Sequence, residues 1–134
     1  MVKKEFTYRG KTLPELEAME LNEFAALATS SARRGITRGL DKKLLKKVQK
    51  AKDELKQGKN PKVIRTHQRG IIIIPAMVGV RIAVHRGNSF ETIEVKPEML
   101  GHRLGEMVMT RKKLMHGKAG IGATRSSTAI TARK

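Results

Sequence analysis

The stretch IIIIPAMVGVRIAVHRGNSFETIEVKPEMLGHRLGE, residues 71–106, carries the apolar, strand-period residues from which a sheet core can be built. Residues 80–86 and 90–95 read as two strands joined through Gly87 and Asn88, the signature of a hairpin. Alternation puts Val80, Ile82 and Val84 on one face and Arg81 and His85 on the other, while Ile93 and Val95 supply the facing apolar positions. The run from Ile71 to Ile74 is β-branched throughout, which suits a strand covered on both faces, and Pro75 then removes a ladder donor and stops it. This third strand completes a small mixed or antiparallel sheet. The expected fold is α+β: a small three-stranded sheet packed with short helices, an N-terminal helical extension and a basic, extended C-terminal tail.

Charge narrows the function. The chain has 134 residues, enough for one modest core, and 29 lysines and arginines against 12 acids give a formal charge of +17. So strong a bias points to a polyanion, most often nucleic acid and less often an anionic membrane surface. The bases fall in two blocks that flank the sheet: 15 bases to 3 acids from Ser30 to Arg81, and 7 bases with no acid after Glu106. Cysteine is absent, which excludes a disulfide scaffold, a thiolate zinc site and a thiol nucleophile. The longest nearly apolar run, from Ile71 to Val80, is too short to span a bilayer, and MVKKEFTYRGK lacks the apolar core of a secretory signal; a cytoplasmic protein is expected.

Outward from the sheet, Thr12 to Glu15 has the capping-box pattern TLPE, and a second helix starts at Asn22, giving two short helices with an acidic outer face. SSARRGITRG, from Ser30 to Gly39, reads as a phosphate-binding loop carrying Arg33, Arg34 and Arg38. Asp41 caps a helix that ends at Gly58, with Leu44, Leu45, Val48, Ala51 and Leu55 as its docking stripe and lysines over the remaining arc. Val63 to Thr66 can already be extended. Pro97 opens a short helix through Leu100 that Gly101 ends. From Arg111 onward the chain is rich in Gly, Ser, Thr and Ala, and is expected to order only on a partner. The division is 1–40, helical extension and basic loop; 41–111, RNA-binding α+β core; and 112–134, flexible basic tail.

Other chemistries fit poorly. GKAGIG, from Gly117 to Gly122, has no preceding strand and no lysine followed by Ser or Thr, so nucleotide binding is rejected. His67, His85, His102 and His116 are scattered without paired carboxylates, and Glu91, Glu94, Glu98 and Glu106 lack a nucleophile; neither a metal, a cofactor nor catalysis is expected. With Phe6, Tyr8, Phe24 and Phe90 as the only aromatics, a sheet that reads unpaired bases by stacking is disfavoured. Arginine and lysine without stacking residues suit folded RNA held by phosphates and shape. The alternatives are a free DNA-binding or chromatin-type protein, whose groove-reading helix would be the mostly lysine helix after Asp41, and a membrane-surface protein, for which that helix lacks bulky anchors.

The order of DKKLLKKV, RTHQRG, IIIIPAMVG, IAVHRG, EMLGHRLGE followed by TR, and finally His116 and Gly117 resembles small-subunit ribosomal protein family nineteen over roughly Asp41 to Gly117. The N-terminal helices and GKAGIGATRSS look like its archaeal and eukaryotic branch. One departure is Ala76, where the family usually has an acid before MVG. The resemblance implies a non-enzymatic protein of the small-subunit head, bound to small-subunit ribosomal RNA beside small-subunit ribosomal protein thirteen. It also implies proximity to the bridge with the large subunit, and a tail reaching toward the decoding region and tRNA. The RNA contacts it implies are Arg65, Thr66, His67 and Arg69 before the sheet, His102 and Arg103 in the glycine turn, and Arg111, Lys112, Lys113, His116 and Lys118 entering the tail. Arg125 joins them further along. Gly101 and Gly105 would let backbone approach RNA, or simply stop a helix and make a turn.

Overall fold

The computed structural model describes residues 6–113. Two short antiparallel strands, β1 (Thr7–Tyr8) and β2 (Lys11–Thr12), lead into four helices, α1 (Leu13–Ala18), α2 (Leu21–Leu27), α3 (Ser30–Thr37) and α4 (Lys42–Lys56). A three-stranded sheet follows, made of β3 (Ile64–Thr66), β4 (Arg81–His85) and β5 (Phe90–Glu94), with β4 central, parallel to β3 and antiparallel to β5. The α+β class and the hairpin are as the sequence implies.

The helices follow their local chemistry. At the start of α1 the Thr12 backbone N–H donates to Glu15 Oε2 at 2.8 Å, the expected capping box. Asp41 caps α4, its Oδ1 accepting from the Lys43 N–H at 2.8 Å while its Oδ2 accepts from Gln68 Nε2 at 3.0 Å, so the cap also ties the helix to the segment after β3. Leu44, Val48 and Ala51 bury the α4 stripe, whereas Leu55 at its far end stays exposed. One correction concerns α2. The Phe24 N–H bonds to the Glu20 carbonyl at 3.0 Å, which closes the first turn early and leaves Asn22 inside the helix instead of capping it.

A second correction is larger: SSARRGITRG is not a loop, because Ser30–Thr37 is helical. Ala32 and Ile36, one turn apart, are buried, and at Gly35 an added Cβ would lie 3.0 Å from Ile72 Cγ1. Its small residues allow close packing, and Arg33 serves the same purpose. Its Nε and Nη2 donate to the carbonyls of Ala25 and Ala26 at 3.1 and 2.9 Å, satisfying acceptors in the last turn of α2.

The isoleucine run is the third correction. Residues 71–74 are buried as expected of a doubly covered segment, but they do not join the sheet; Ile64–Thr66 supplies its third strand. The run pairs instead with the Gly101 turn. Ile73 N–H donates to the His102 carbonyl at 2.8 Å, Gly101 N–H to Ile73 at 3.1 Å, Leu104 N–H to Ile71 at 3.0 Å and Gly105 N–H to Arg69 at 2.8 Å. A crossover from β3 to a parallel β4 must leave the sheet plane, and this buried passage ends in the 3-10 turn Pro75–Met77, on which α1 and α4 pack. The two later helical segments, Pro97–Met99 and Leu104–Met107, are also 3-10 turns. One apolar cluster runs from Leu16 to Val108.

Arg69 locks this arrangement. Its Nη1 donates to the His85 carbonyl, and its Nη2 to the carbonyls of Gly105 and Val108, each at 2.7 Å. Arg69→Ala strips three part-buried acceptors of a charged donor and is expected to cost about 3 kcal/mol, lowering the melting temperature by roughly 10 °C in calorimetry. Arg69→Lys, lacking the planar fork, should recover only part of that loss. The Thr12 backbone donor holds the Glu15 carboxyl below its ordinary pKa. Its stabilisation is therefore present above the ordinary glutamate value and lost as pH falls through the lowered one. A carboxyl-detected NMR titration should place the Glu15 midpoint below that of a glutamate in a model peptide.

Candidate nucleic-acid interface

Internal bonding divides the expected RNA-contacting residues. Arg33 directs two guanidinium donors and Arg69 three to backbone carbonyls, as described above. Thr66 is 8% exposed, and its Oγ1 accepts from the Gln68 N–H at 3.1 Å. Both turn glycines have intramolecular reasons as well. Gly101 has φ +80°, and a Cβ there would lie 2.7 Å from Tyr8 Oη; at Gly105 it would lie 2.8 Å from Arg69 Cβ. His102, exposed, pairs through Nδ1 with Glu106 Oε2 at 2.7 Å.

Three of the other expected arginines gather on exposed surface. Arg34 and Arg38, one turn apart on α3, share a concavity of about 350 Å³ with Arg103 from the glycine turn. Arg103 Nη2 donates to Ser31 Oγ at 2.9 Å, bringing its guanidinium to the first turn of that helix. No acid lines this concavity, so three cations converge there around small neutral side chains. Residues distant in the sequence meet because Gly35 lets α3 sit directly on Ile72, whose partner in an isolated bridge is Arg103.

A second basic region is a groove of about 670 Å³ between the outer arc of α4 and residues 59–65. Lys47 and Lys50 line one wall, Lys59, Lys62 and Arg65 the other, with Glu54 as the only acid. These lysines were legible in the sequence as a basic helix face, but their pairing with Lys59 and Lys62 across a groove was not. Beyond the anchor Val108, which is buried, Arg111, Lys112 and Lys113 are exposed. His116, Lys118 and Arg125 lie outside the described residues.

The solvent face of the sheet adds a feature that composition concealed. Register puts Arg65, Ala83 and Thr92 in one row across it, and His85 opposite Phe90 in the next. His67, one residue past β3, reaches the same face: its ring stacks on His85 with centroids 4.3 Å apart and planes at 29°. Phe90 stands edge-on to both, 5.1 Å from His67 and 5.0 Å from His85, and Arg65 Cζ lies 5.7 Å from the Phe90 centroid. Of these, His67 was among the expected RNA contacts and His85 and Phe90 were not, because a count of aromatics leaves out the histidines that stand beside Phe90. The usable signal was alternation, which already put His85 on the outer face.

Among the described residues no helix is long and apolar enough to cross a membrane. Residues 30–116 match the family described as Ribosomal protein S19. The matched span begins with α3 and its arginines and takes in the α4 groove, the sheet and the glycine turn. It covers well over half of the chain, and this protein belongs to the ribosomal protein S19 family.

Proposed function

We propose that the protein grips folded small-subunit ribosomal RNA chiefly by the acid-free arginine concavity of Arg34, Arg38 and Arg103, with the α4 groove as a second phosphate track. As a family member it is a structural small-subunit ribosomal protein that binds ribosomal RNA. The observation that carries the finer reading is that three arginines line one concavity without an acid among its lining residues. Guanidinium forks bind phosphate oxygens bidentately, and neutralising phosphates releases counterions, so binding of this kind is strong and salt-dependent. Arg65, His67 and His102, together with Arg111, Lys112 and Lys113, extend the contact. His116, Lys118 and Arg125 continue it along the tail, and backbone at Gly101 and Gly105 approaches RNA beside Arg103.

The resemblance supports a finer placement. The protein sits in the head of the small subunit, in the cytoplasm, beside small-subunit ribosomal protein thirteen. It lies near the bridge to the large subunit, with its tail toward the decoding region and tRNA. It catalyses nothing; its work is to hold RNA in shape.

The test compares binding of small-subunit ribosomal RNA across a salt series. Arg34→Ala with Arg38→Ala should weaken binding and reduce the magnitude of the slope of log affinity against log salt by about 0.7 to 0.9 per lost contact, with the melting temperature unchanged because both side chains are exposed. An unaltered slope would remove the concavity from the interface. Displacement of the RNA by duplex DNA at equal concentration would favour a DNA-binding protein instead.

A further inference from the structure

The geometry points to a nucleobase-stacking site on the solvent face of the sheet: an unpaired RNA base continues the His85–His67 stack on its open side, with Arg65 at hand for the adjoining phosphate. This deepens the RNA-binding reading and rests on it. The surface differs in kind from the two basic regions, which are lined by flexible cations and match a backbone, not a base.

Three observations carry it. The first is that the ring pair is already assembled. Two imidazoles 4.3 Å apart and 29° from parallel form an offset stack, and one face of His67 is spent on His85. His67 is nevertheless exposed, so the stack does not seal it from solvent.

The second is that the pair is held from below and from the side. The Gly87 N–H donates to His85 Nδ1 at 3.2 Å, fixing the orientation of that ring, and Phe90 braces both imidazoles edge-on while itself remaining 38% exposed. A preformed platform loses little conformational freedom when a planar ligand arrives.

The third is charge. Arg65 lies over the Phe90 ring at 5.7 Å and also lines the α4 groove, so a strand whose phosphates follow Lys47, Lys50 and Lys62 arrives at the rings through Arg65. Alternating cationic groove and planar side chains is the pattern by which proteins hold single-stranded nucleic acid, each stacked base adding affinity that does not depend on salt.

The experiment uses the full chain and two RNA probes of equal length and charge: a twelve-nucleotide adenine strand and the same ribose-phosphate strand without bases. The wild type should bind the adenine strand roughly tenfold more tightly than the abasic one. His67→Ala and Phe90→Ala should each remove most of that preference while leaving the salt slope as it was. His67→Trp, which keeps a planar ring, should retain it, guarding against a loss that merely reflects local unfolding. In NMR, the His67 ring protons should shift upfield on addition of the adenine strand and not of the abasic one. Equal affinity for the two strands in the wild type, or a preference that survives His67→Ala, would overturn the stacking site. If small-subunit ribosomal RNA is still bound in a salt-dependent manner, only this inference falls. Failure to bind any of the three RNAs would remove the RNA-binding reading with it.

Discussion

The Arg69 guanidinium joins three parts of the molecule that no run of sequence connects. Its carbonyl partners belong to the end of β4, the second turn glycine and the chain just before the tail. A part-buried guanidinium is tolerated only if its donors are satisfied, and here backbone acceptors of fixed position satisfy them. The glycine turn, whose backbone pairs with the isoleucine run, is thereby tied to the end of β4. Gly105 has no side chain because Arg69 occupies that space: its Cβ and carbonyl oxygen stand 2.8 and 3.0 Å from where a Cβ would be.

From this follows a division of labour among the cations. Arginine offers five donors in a rigid fork, which suits either a cluster of carbonyls or a phosphate. Arg33, exposed, and Arg69, part-buried, bond to backbone carbonyls; Arg34, Arg38 and Arg103 are exposed around a concavity without acids. The lysines, point charges on flexible stems, stay on the outer arc of α4 and in the segment that follows it. Part of the net charge of +17 is thus engaged in holding the fold together.

Local patterns were legible where local physics decides. The hairpin through Gly87 and Asn88, the Thr12 capping box, the Asp41 cap and the buried stripe of α4 all depend on residues within a turn or a strand pair of one another. Ser30 to Gly39 misled because the same small residues suit a loop or a tightly packed helix. What selects the helix is Ile72, more than thirty residues away, which needs Gly35 without a side chain. The isoleucine run was readable as buried but not as to its partner, since β-branched residues covered on both faces satisfy a sheet or a turn ladder equally.

Composition, periodicity and the spaced motifs by themselves determined an α+β chain with one small core, a polyanion as partner and the ribosomal family to which it belongs. These are sums over many residues or matches along the chain, and survive errors in any one element. Tertiary structure alone decided which arginines bond to backbone, because that depends on whether carbonyl oxygens from other segments come within reach of the guanidinium. It also brought His67, His85 and Phe90 onto one face. Parallel pairing of β3 with β4 and antiparallel pairing of β4 with β5 set that register, and no local rule specifies which strand a chain will return to.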